Sequence, residues 1–76
     1  MTSDDLMRYA IVIEPAGDNF SAYVPDLPGC VATGSTIEQT ESAIRDAIVF
    51  HLAGLRADNQ PIPPASIRVD YVEVAA

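Results

Sequence analysis

Three kinds of side chain in this sequence could carry chemistry: the single cysteine Cys30, the single histidine His51, and the scattered carboxylates Glu14, Asp18, Asp26 and Asp70. A cysteine nucleophile needs a thiolate stabilised by a cation or a helix N-terminus, and a base within reach. Cys30 sits in "VPDLPGCVATGST", shortly before a helix start, whereas His51 lies about four turns down that helix, roughly 20 Å away by helix rise. Cys30 is therefore expected to be a small buried packing residue. A metal ion held by His51 would need partners one helical turn away, but those places are filled by Ala47 and Leu55. A two-metal nuclease of the ribonuclease-H type would need converging carboxylates, one of them in the middle of the first strand. That strand reads "YAIVI" and is uncharged until Glu14. No catalytic, cofactor-binding or metal-ligating residue is expected, and the chain reads as non-enzymatic.

The elements that would position these residues follow from hydrophobic periodicity. "MRYAIVIEP" places Tyr9, Ile11 and Ile13 on one face and Ala10 and Val12 on the other, predicting a strand at about 7–14 closed by Pro15. "AGDN" supplies a tight reversal, and Phe20, Ala22 and Val24 alternate with Ser21 and Tyr23 in a second strand at 20–24. Pro25 and Pro28 end that strand, and "CVATG" is long enough for a third at 30–34.

The period then changes to 3.6. Ile37, Ile44, Ile48 and Leu55, with Thr40, Ala47 and His51 beside them, predict an amphipathic helix over 36–57. Ser35 with Glu38 and Thr36 with Gln39 both fit a capping box, and Asn59 with the prolines of "DNQPIPP" ends the helix. A last strand is expected at 67–74, in "SIRVDYVEV". The reading is one α+β domain over 1–76 in the order βββαβ, with one long helix covering one face of a small, three- to four-stranded, mainly antiparallel sheet.

Composition narrows the function classes. Seventy-six residues bury roughly 60% of the unfolded chain's surface, so the core is thin and self-association is expected. Eleven acidic against four basic residues give a formal charge of −7, which disfavours direct binding to nucleic acid or to anionic membranes. One cysteine forms no internal disulfide, and the acidic "MTSDDLMRYAIVIEP" lacks the basic segment of a signal peptide, so a cytoplasmic protein is expected.

"YAIVIEP", then "AYVPDLPGCVATGST", the amphipathic helix and "PIPP" together resemble the N-terminal domain of HicB antitoxins, including solitary HicB-like proteins. "PDLPGC" between strand and helix is the most specific part. The resemblance implies a partial ribonuclease-H-like fold without nuclease function, which binds and masks HicA, a small basic RNA-cleaving toxin. HicB proteins also carry a C-terminal DNA-binding domain, and no such segment is expected here after Val74. Ser35 stands where the family pattern has Asp, and Gln39-Thr40 where it has Glu-Ala.

On this resemblance and the acidic balance, Asp26, Leu27, Glu38, Glu41 and Asp46 are the expected partner-binding residues, with Asp26-Leu27 as an exposed tip. Val49, Phe50 and Ala53 interrupt or flank the helix's polar side and are the expected self-association residues of a homodimer or higher oligomer. The alternatives are a solitary oligomeric scaffold or ligand-sensing module without a toxin partner, and a degenerate nuclease.

Overall fold

A computed structural model describes residues 7–76. Three strands, β1 (Val12–Ala16), β2 (Asn19–Tyr23) and β3 (Val31–Gly34), form an antiparallel sheet in the order β1-β2-β3, and one helix, α1 (Ile37–Ala57), crosses one face of it. The α+β class, the order of these four elements and the side chains that alternate inward are those read from the sequence. Phe20, Ala22 and Val24 share a face with Ile11 and Ile13 because the pleat repeats every two residues.

β1 and β2 are joined by Gly17 and Asp18 alone, since Ala16 pairs with Asn19. Gly17 has φ +69° and Asp18 has no positive φ, the pattern of a type II′ turn whose twist matches that of the strands. The β2–β3 connection is two successive turns sharing Leu27. The Leu27 amide donates to the Val24 carbonyl at 3.0 Å, and the Cys30 amide donates to the Leu27 carbonyl at 3.0 Å. Pro28 and Gly29, the latter at φ +84°, suit the two central places of a type II turn.

The sheet's inner face is built from small residues where the helix crosses it. Ile13, Ala22 and Ala32 form one row, and Pro15, Phe20 and Gly34 the next. The helix lies mainly on β3, less on β2 and least on β1. Ala22, Val24, Leu27, Cys30, Ile44 and Leu52 are buried and form the centre of the core, with Tyr9, Ile11, Ile48 and Ile62 packed around it.

The helix starts at Thr36, whose hydroxyl accepts from the Gln39 amide at 3.0 Å. The Gln39 side chain reaches one residue further back than a standard capping box, accepting from the Ser35 amide and hydroxyl. At the other end the Gln60 amide donates to the Leu55 carbonyl and the Asn59 amide to that of Arg56, a Schellman motif with Asn59 left-handed at φ +56°.

Three expectations change. The helix's buried row is Thr40, Ile44 and Leu52, so Leu52 belongs to the core, whereas Ile37, in the first turn and beyond the sheet's cover, is 48% exposed. Ladder pairing in β1 begins at Val12 rather than 7, because β2 ends at Tyr23, opposite Val12, and leaves residues 7–11 no partner on that side. Residues 67–74 form no strand, since they close no ladder with another segment among the described residues, and Tyr71, Val72 and Val74 are among the most exposed side chains of the fold.

Candidate protein-binding site

The Pro-rich loop does two jobs in the folded chain. Leu27 is fully buried, a plug driven into the core by the paired turns. Asp26, beside it, accepts from the Ser66 hydroxyl at 2.8 Å and from the Ser66 and Ile67 amides at 3.0 and 3.2 Å. The Ser66 hydroxyl, then the Ile67 and Ser66 amides, hold the Asp26 carboxyl below its ordinary range against some loss of hydration. Nearby the Tyr9 hydroxyl donates to the Pro63 carbonyl at 2.6 Å, and burial, with the Asp26 charge behind it and Arg56 opposing, pushes the Tyr9 phenol up. Asp26 and Leu27 therefore do not form an exposed tip. One is core, and the other fastens the segment that returns from the helix.

The remaining expected residues lie on the outer surface of α1. Glu38, Glu41 and Asp46 are all exposed in its N-terminal half. Val49, 64% exposed, and Ala53 lie four residues apart on one face of its C-terminal half, and Phe50, 81% exposed, lies on the flank. On the bare face of the sheet the paired residues Val12, Tyr23 and Val31 make a second apolar row, with Tyr23 and Val31 exposed.

Sequence reasoning missed a groove. Because the helix sits over β3 and β2, a cleft of about 480 Å³ opens between the helix and residues 7–11, floored by Ile11, Ile44, Ile48 and Leu52. Arg8, Arg45 and Arg56, three of the chain's four basic residues, line it together with Glu41. Arg45 and Arg56 are eleven positions apart, three helical turns, so their shared face was readable; the approach of Arg8 depended on where the helix lies on the sheet. Among the described residues the one ion pair is Arg68–Asp70, at 2.8 Å on the surface.

The chemistry-bearing residues stay apart. Cys30 is buried, and burial pushes its thiol up, opposite to what a nucleophile requires. His51 is half-buried among the inner helix residues. Among the described residues no three of His, Cys, Asp and Glu cluster as metal ligands, and no helix is long and apolar enough to cross a membrane.

Residues 9–75 match the profile of the HicB-like antitoxin of bacterial toxin–antitoxin systems. The chain belongs to the HicB-like antitoxin family. Among its relatives is an uncharacterized 14.9 kDa protein of Haemophilus phage HP1, 33% identical over 66 residues, which cover 87% of this chain and 50% of the phage protein. The chain thus spans half the length of that relative. A UPF0150 protein of Synechocystis is 30% identical over 75 residues, covering 97% of this chain and 95% of the other. Among solved structures, a chain of the HicA3 and HicB3 toxin-antitoxin complex superposes with a TM-score of 0.66 at 28% identity, over 76% of this chain and 70% of that one. The residues matched by the family profile include the loop that holds Leu27 and Asp26.

Proposed function

We propose that this chain is a non-enzymatic antitoxin domain that binds and neutralises a small, basic, HicA-like RNA-cleaving toxin in the cytoplasm. The observation that carries this reading is the likeness, in both fold and sequence, to a chain of the HicA3 and HicB3 toxin-antitoxin complex. The charge of −7 supports it physically, since an acidic surface speeds encounter with a basic RNA-binding protein and is itself repelled by RNA. Glu38, Glu41 and Asp46 are the steering charges on the exposed helix, and masking the toxin's RNA-binding face is the means of inhibition.

The exposed Val49, Phe50 and Ala53 favour a homo-oligomeric antitoxin, in which the helix surface also serves self-association. The test is titration with a small, basic HicA-like toxin, read by calorimetry and by protection of RNA from cleavage. A stable complex whose association slows as salt rises, and slows further when Glu38, Glu41 and Asp46 are changed to Lys, supports the reading. Undiminished RNA cleavage at saturating antitoxin and low salt overturns it.

A further inference from the structure

Beyond toxin binding, the geometry points to an exchanged strand: residues 69–74 of one copy add to the free edge of β1 in a second copy, and the second copy returns the same segment. Both halves of this joint are present in each chain. The donor is a β-rich segment without a partner, in which Val69, Tyr71, Val72 and Val74 are 52, 96, 82 and 80% exposed. The acceptor is β1, an edge of the sheet whose outer backbone groups face no strand among the described residues.

The chain's path favours an acceptor on another copy. Asp26 pins Ser66 and Ile67 at the root of the segment with three hydrogen bonds. From there residues 67–69 and residues 8–11 of the same chain line one open space of about 500 Å³, and no ladder closes between them. The segment beyond then leaves its own fold exposed. An arm rooted beside an open edge, yet unpaired with it, suits reciprocal exchange about a two-fold axis, in which each copy supplies what the other lacks.

The side chains match the groove beside that edge. Ile67, Val69, Tyr71 and Glu73 share one face of an extended segment, three apolar residues followed by an acid. The groove offers an apolar floor and a rim of Arg8, Arg45 and Arg56, none of which is in an ion pair among the described residues. Tyr71 of the incoming arm covers the floor, and Glu73 meets the arginine rim.

Sedimentation equilibrium of the whole chain, with single variants, tests the joint. The unaltered chain should be a dimer at tens of micromolar, and Tyr71→Pro, which removes a ladder donor, should weaken the dimer at least tenfold without loss of helical circular dichroism. In mixtures of an isotope-labelled chain with an unlabelled chain carrying a spin label at Val74→Cys, amide signals of Val12 to Glu14 should broaden. A monomeric native chain overturns the exchange, and so does broadening seen only when label and isotope share one chain, which would mean that the arm closes on its own sheet. A dimer broken by Phe50→Ser but indifferent to Tyr71→Pro also overturns it in favour of the helix surface. Toxin protection measured on the same variants shows separately whether the antitoxin reading holds.

Discussion

Gly34→Ala should be the most damaging single-methyl change in the fold. A Cβ at Gly34 would lie 2.6 Å from Thr40 Oγ1, 2.7 Å from the Thr40 amide nitrogen and 3.0 Å from its Cα. The hydroxyl cannot simply swing aside, because Thr40 is fully buried and its Oγ1 donates to the Thr36 carbonyl at 2.7 Å. The other two atoms are helix backbone, so the first turn of α1 must withdraw by about 0.7 Å, the shortfall between 2.7 Å and the 3.4 Å at which ordinary contact begins. Forcing a methyl into a packed core costs about 1–3 kcal/mol, and a rigid backbone obstacle belongs toward the top of that range. Reduced freedom of the unfolded chain returns about 0.4–1 kcal/mol, leaving a net loss of about 2 kcal/mol. For a domain of this size that lowers the melting temperature by about 8–16 °C. Thermal and urea unfolding followed by far-ultraviolet circular dichroism would measure it, with Gly54→Ala as control. Gly54 lies in the exposed part of the helix with no foreign atom within 4 Å, so alanine there should stabilise by about 0.5–1 kcal/mol. If Gly34→Ala melts within about 2 °C of the native chain while Gly54→Ala rises, the close-approach argument fails.

Two further outcomes are expected. Thr36→Ala removes the acceptor of the Gln39 amide and should cost about 1 kcal/mol, read by urea unfolding, whereas Thr36→Ser should be nearly neutral. The hold of Asp26 on Ser66 and Ile67 depends on the ionised carboxylate, whose folded pKa lies below its unfolded value. Its contribution is therefore complete above the unfolded carboxylate range and lost as pH falls through that range and below it. Amide exchange at Ser66 and Ile67 should rise with acid, and in Asp26→Asn it should be fast and lose this pH dependence.

The parts of the fold legible in the sequence were those governed by local physics. The alternation of Phe20, Ala22 and Val24, the turn residues Gly17 and Asp18 and the stop at Asn59 each act over a few residues and are used as read, and of the two caps that the sequence offers, Ser35 and Thr36, the structure uses Thr36. What misled was burial set by distant packing. Leu27 looked like the tip of a loop because prolines and an aspartate surround it, yet paired turns fold that tip inward. Residues 67–74 have a strand's alternation, but a strand also needs an edge to join, and pairing is not written in the segment itself. At the candidate site, Glu38, Glu41 and Asp46 were legible as exposed helix positions. The arginine-lined groove was not, because whether Arg8 borders one cleft with Arg45 and Arg56 depends on where the helix lies across the sheet.

That displacement makes the domain a wedge. At its thin side, alanines and a glycine let the helix nearly touch β3, and hardly any change of volume is tolerable there. At its thick side, the gap between the helix and residues 7–11 is wide enough that the exposed side chains on its rim, such as Arg8, Glu41, Arg45 and Arg56, can change size, charge or partner while the backbone stays put. A designer or a diverging lineage wanting a new binding preference from this scaffold would thus find its freedom concentrated along one flank, with the opposite flank acting as the hinge-pin that keeps the shape.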